Sequence, residues 1–198
     1  MNQPNINFKS LSSVCRNCTP ETMIKNMDAL FQKHIKKHPK ETFYPIVTKY
    51  SADPILTLVK RRMPVEVIHH LVQYHKLSNL PFQRLASALG DIKQLDPNVL
   101  RCFLDYGLSP HTLLEGNNEF SYKGTMLTKF FTNEPCLFVL LEYGASLEHT
   151  LSSYPNMARQ MSDHLIDVHR RFTAAHAAKQ NEGTEEAAKP TPARGPRL

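Results

Sequence analysis

The sequence predicts an all-α protein built as a short stack of helical repeats. Three observations carry that expectation. Asn98-Val99-Leu100-Arg101-Cys102-Phe103-Leu104-Asp105-Tyr106-Gly107 recurs, 37 positions later, as Pro135-Cys136-Leu137-Phe138-Val139-Leu140-Leu141-Glu142-Tyr143-Gly144. A weaker copy, Glu66-Val67-Ile68-His69-His70-Leu71-Val72-Gln73-Tyr74-His75, lies 32 positions upstream of the first. Helix-starting and helix-ending residues punctuate the chain at corresponding places. A period in the thirties with one apolar pattern marks stacked supersecondary units. Such stacks bind other proteins far more often than they catalyse.

The N-terminal flank, residues 1–51, holds one clear helix. Thr19-Pro20-Glu21-Thr22 reads as a start, with threonine as N-cap, proline at the first helical position and glutamate in the first turn. Ile24, Met27, Phe31 and Ile35 then recur at helical spacing until Pro39 ends the run. The segment from Phe43 to Tyr50 is ambiguous. Repeats are expected over residues 52–150, each as helix, turn, helix. Asp53-Pro54-Ile55-Leu56-Thr57-Leu58-Val59 opens the first, and Pro64 opens its second helix. Pro81 starts the next helix, which Gly90 can cap, and Asp96-Pro97 restarts a helix as N-cap and N1. In the third unit Gly124-Thr125-Met126-Leu127 leads into a short helix and Pro135 begins its partner. Gly107 and Gly144 sit where a left-handed residue must end a helix. A capping helix is expected over residues 151–179, from about Pro155, on the stripe Met157, Met161, Leu165, Val168 and Phe172. It would cover the bare end of the stack. Residues 180–198 lack core-forming side chains and are expected to be disordered.

These helix–helix–glycine units resemble ankyrin repeats. The likeness rests on Phe103-Leu104-Asp105-Tyr106-Gly107-Leu108-Ser109 and Val139-Leu140-Leu141-Glu142-Tyr143-Gly144-Ala145-Ser146, which are similar to the end of that family's second helix. Gly124-Thr125-Met126-Leu127 resembles the family's Gly-x-Thr-Pro-Leu entry, with Met126 where proline belongs. Leu80-Pro81-Phe82-Gln83-Arg84-Leu85-Ala86 and Asp53-Pro54-Ile55-Leu56-Thr57-Leu58 keep the proline without the threonine, and His75 stands in a glycine position. The resemblance covers half the chain. It implies a protein-binding adaptor or inhibitor that meets its partner through inter-repeat fingers and the inner helices. The segment from Gly107 to Gly124 would be such a finger, longer than usual. Its Glu115, Asn117, Asn118, Phe120 and Tyr122, with Arg84 and Lys129 on the inner helices, are the expected partner-binding residues. Aromatic side chains on a loop suit an interface hot spot. Tyr122 could equally fold back as finger packing, and packing is the favoured reading for Phe120. Few degenerate repeats between helical flanks, with Glu182, Glu185 and Glu186 near the end, are also similar to effectors that intracellular bacteria secrete into host cytosol.

Composition bounds the alternatives. Of 198 residues, 41% are hydrophobic, enough for a core. No apolar run is long enough to cross a membrane. The start lacks the charged-then-apolar layout of a signal peptide. Four cysteines are too few for a disulfide scaffold, so a reducing cytoplasmic setting is expected. The formal charge of +6 belongs to the N-terminal third, where eleven Lys and Arg up to Arg62 face four Asp and Glu. That third could instead meet nucleic acid or another anionic surface. Cys15-x2-Cys18 with His34-x3-His38 matches a two-cysteine, two-histidine zinc spacing. The residues between lack a zinc-finger core, and the histidines continue the helix stripe, so no metal or cofactor is expected. No nucleophile elbow, zincin or phosphate-loop motif occurs, and seven glycines leave little for phosphate cradles. No enzyme activity is expected.

Overall fold

The computed structural model describes residues 6–7, 19–37, 46–47, 54–75, 82–114, 124–153 and 159–187. They are mostly helical, so the all-α class holds. The helices are α1 (Pro20–Lys37), α2 (Pro54–Lys60), α3 (Val65–His70), α4 (Phe82–Gly90), α5 (Pro97–Asp105), α6 (Met126–Lys129), α7 (Glu134–Glu142), α8 (Leu147–Ser153) and α9 (Arg159–Ala187). One π turn, Leu71–His75, prolongs α3. Two short strands, β1 (Ile6–Asn7) and β2 (Ile46–Val47), pair in parallel, Ile6 with Ile46 and Asn7 with Val47.

Local chemistry sets the helix ends. Thr19 Oγ1 accepts from Thr22 N at 3.4 Å at the head of α1. Asp96 accepts from Asn98 N at 2.8 Å, and Pro97 fills the first position of α5. Thr125 caps α6 by accepting from Thr128 N at 3.4 Å. Asn133 caps α7, which begins at Glu134 and so places Pro135 at the second position. Gly107 and Gly144 have φ of +105° and +88°. Leu108 N then reaches Phe103 O at 2.9 Å, and Ala145 N reaches Leu140 O at 2.9 Å. These are Schellman closures, which need a left-handed residue. Arg62 closes α2 in the same way with φ of +54°, and Met63 N reaches Leu58 O at 3.2 Å. Gly90 differs from expectation. It is the last residue of α4, outside the left-handed region, and its missing Cβ makes room for the Lys129 stem.

Packing arranges the helices in two rows. α1 meets α3, α3 meets α5, α5 meets α7 and α7 meets α9. α2 meets α4, α4 meets α6 and α6 meets α8. Between the rows, α2 packs on α3, α6 on α7 and α8 on α9. One continuous core runs between them, with Met27, Ile55, Leu58, Ile68, Leu85, Leu89, Leu100, Phe103, Phe130, Leu137 and Leu140 almost fully buried. The α1 stripe is centred on Met23, Met27 and Phe31, with Ile24 at its margin. On α9, Leu165 and Val168 are buried while Met161 and Phe172 pack on the core edge, as their spacing predicts.

Two expectations need correction. The sequence places six helices in the repeats and one on each flank, whereas α8 is an additional short helix between α7 and α9. The expected disordered tail begins too early. α9 starts at Arg159 and continues through Ala187, so residues 180–187 are helical. Glu182, Glu185 and Glu186 therefore lie on that helix. No helix among the described residues is long and apolar enough to cross a membrane.

Candidate protein-docking surface

Side chains 32 to 42 residues apart in the chain link neighbouring helices and turns. At one edge lie the turns within pairs. There Arg62 donates to Gln94 Oε1 at 2.7 Å, Lys129 Nζ to Asp91 Oδ1 at 2.6 Å, and Asn133 Nδ2 to Leu95 O at 3.1 Å. Where α5 and α7 end, Tyr143 donates its hydroxyl to Asp105, and Arg101 pairs with Glu142. The hydrogen bond to Asp105 raises the Tyr143 pKa, and the bond to Glu142 raises that of Arg101. Farther along, Arg171 forks onto Glu134 at 2.6 and 2.9 Å and also holds Asp167. These bonds hold the Glu134 carboxyl below its ordinary range and push the guanidinium up. At the other end of the protein His70 Nε2 meets Asp28 Oδ1 at 2.8 Å, joining α3 to α1.

The α2–α4–α6–α8 row carries the inner-helix residues singled out from sequence. Arg84 is exposed on α4, as is Phe82 two residues before it. Lys129, on α6, is half-buried and spends its charge on Asp91 across Gly90, so it is a strut between α6 and the α4 turn. Leu114 and Gly124 form an isolated antiparallel bridge, with Leu114 N donating to Gly124 O at 2.8 Å, so the two ends of the segment between them lie side by side. Exposed Leu113 and His111 approach it. A buried Thr125–Thr150 hydroxyl contact at 3.1 Å ties the finger's exit to α8. Glu115, Asn117, Asn118, Phe120 and Tyr122 fall outside the described residues. So do Cys15, Cys18 and His38, while His34 lies on α1 with its side chain outside the description.

The described cysteines, Cys102 and Cys136, are buried thiols. Burial pushes them up to about 11 and about 12 respectively, which keeps them protonated and inert. No group of three or more His, Cys, Asp or Glu suited to a metal ion occurs among the described residues.

Sequence reasoning missed one surface. A groove of about 620 Å³ runs between the α2–α3 turn and the α4–α5 turn. Met63, Val65 and Ile92 are half-buried in its wall, and Lys60, Arg62 and Lys93 stand along it. The readable signal was the basic run Lys60-Arg61-Arg62, one repeat before Lys93. Compared with known proteins, this chain matches no family model, no curated protein and no solved structure.

Proposed function

We propose that this chain is a protein-binding module, an adaptor or inhibitor, built as a short ankyrin-like stack. In this reading α2–α3, α4–α5 and α6–α7 are three repeats, α1 covers one end, and α8–α9 closes the other. The observation that carries it is the two-row packing, in which each helix meets the helices two places away along the chain. Such a quasi-one-dimensional array offers an extended surface rather than an enclosed pocket. The left-handed glycines one repeat apart and the bridged finger base support the same reading. The partner would lie across the finger and the α2–α4–α6–α8 row, with Arg84 and Phe82 presented to it and Phe120 and Tyr122 on the finger as anchors.

Cross-linked affinity capture with the intact chain tests this. Phe120→Ala with Tyr122→Ala, and separately Arg84→Glu, should weaken recovery of one stoichiometric protein while leaving the helical content intact. Loss of an aromatic hot spot typically costs ~2 kcal/mol or more. Arg16→Ala with Lys36→Ala in the basic flank should matter little. Recovery of RNA instead, lost steeply with added salt, would move the function to the basic N-terminal third.

A further inference from the structure

We infer that the groove between the α2–α3 and α4–α5 turns is a second docking site, which takes an extended acidic segment of a partner protein with an aliphatic anchor. The inference rests on the protein-binding reading, but it concerns the turn edge, away from the bridged finger.

The first argument is composition. The floor is aliphatic: Met63, Val65 and Ile92 are half-buried against the core, so their outer faces line the groove. The rim is cationic, with Lys60, Arg62 and Lys93 exposed. The one carboxylate in the lining is Asp96, and its oxygen already accepts from Asn98 N at 2.8 Å as the α5 cap. Its partner should therefore be negative at the edges and aliphatic at the centre. A volume of about 620 Å³ accommodates a few side chains rather than a folded domain.

The second argument is exclusion by chemistry. Proteins built for single-stranded nucleic acid typically add flat aromatic platforms on which bases stack. The groove lining contains no aromatic residue. A bare phosphate would satisfy the rim and waste the floor. A peptide uses both, combining a desolvated anchor with rim charges that steer encounter.

The third argument is strain. Arg62 holds φ of +54°, a region that side-chain-bearing residues rarely adopt. Glycine would make the same helix closure without strain, as it does at Gly107 and Gly144. Arginine at this place directs its guanidinium along the rim to Gln94 Oε1 at 2.7 Å. Backbone strain that persists at a surface turn points to a use for the side chain.

The test pans phage-displayed random dodecapeptides against the intact purified chain, then measures synthetic consensus peptides by fluorescence anisotropy. The expected consensus is a Leu, Ile or Val flanked by Asp or Glu. Lys60→Glu with Lys93→Glu should weaken the consensus peptide at least ~10-fold without altering the circular dichroism spectrum. Replacing the aliphatic anchor of the peptide by alanine should weaken it by ~10-fold as well. Arg62→Gly should lower affinity while raising the melting temperature, a combination that a merely structural arginine would not give. Phe120→Ala with Tyr122→Ala should leave peptide affinity unchanged, which separates this site from the finger. The inference is overturned by a consensus without acidic residues, by unchanged affinity in the Lys60 and Lys93 variant, by equal binding of polyglutamate, or by tighter binding of oligouridylate. The first three results leave the finger reading standing, since that reading is judged by protein capture with the finger and Arg84 variants; tighter oligouridylate binding would count for the basic N-terminal third as well.

Discussion

Asn133 does two jobs at once, and substitution can separate them. Its Oδ1 accepts from Cys136 N at 3.3 Å and caps α7, while its Nδ2 donates to Leu95 O at 3.1 Å and ties α7 to the preceding turn. Losing an N-cap to alanine costs about 1 kcal/mol. Losing the second bond leaves the carbonyl of buried Leu95, among the described residues, with the weak Cys136 thiol contact at 3.6 Å, which adds about 1 kcal/mol. Asn133→Ala should therefore destabilise by about 2 kcal/mol, or roughly 4–8 °C in melting temperature for a chain of this size. Asn133→Ser keeps a cap oxygen and cannot reach Leu95, so about half the loss should remain. Asn133→Asp keeps the cap and sets a carboxylate against the Leu95 carbonyl, so it should fall at or below serine. Urea unfolding of the three variants, followed by far-ultraviolet circular dichroism, gives the order directly. Equal losses for serine and alanine would refute the division of labour, and losses under about 0.5 kcal/mol throughout would refute both bonds.

Leu141 is buried on α7, and Leu141→Ala should cost about 2–5 kcal/mol by chemical unfolding; an unchanged midpoint would show that this face does not pack as described. Arg62→Gly removes a left-handed side chain at the end of α2 and should stabilise by about 0.5–1 kcal/mol, a gain visible as a higher melting temperature. The Glu134 carboxyl is held below its unfolded value by Arg171, so the pair's contribution is present above the ordinary carboxylate range and is lost as pH falls through the lower folded value. Glu134→Gln should flatten the stability profile in that acidic window and change its slope little at neutral pH; a parallel profile would show that the ion pair is screened away. Burial and raised pKa values make Cys102 and Cys136 slow toward an aromatic disulfide reagent in the native state, with release in urea; immediate native reaction of either, mapped by mass spectrometry, would contradict their placement.

Helix ends were legible in the sequence because they are local chemistry. Asp96-Pro97, Thr19-Pro20, Thr125, Gly107 and Gly144 each act within a few residues of their own position, and each occupies the terminus its side chain or backbone demands. The buried faces of α5, α7 and α9 were legible for a related reason, since apolar spacing reports one continuous stripe per helix. The helix α8 was not legible. Leu147–Ser153 is short, Thr150 is its buried residue, and it is held by packing on α6 and α9 that no local pattern records. Residues 180–187 lack core-forming side chains, yet α9 runs on through them to Ala187, well past Val168, its last buried residue among those described, so absence of a core pattern does not mark where this helix stops.

The sequence by itself determined where most of the helices start and stop, which faces of α5, α7 and α9 are buried, and that the α5 and α7 segments recur. Only the tertiary structure decided which side chains meet across the recurrence. Lys129 looked like a partner-facing cation and became a strut onto Asp91, because Gly90 lets α6 approach the preceding turn. Arg62 and Lys93 are 31 residues apart in the chain and share one groove because the α2–α3 and α4–α5 turns lie side by side. Spacing along a chain sets helical phase within one element, but the rim of a groove between two elements exists only after both have packed.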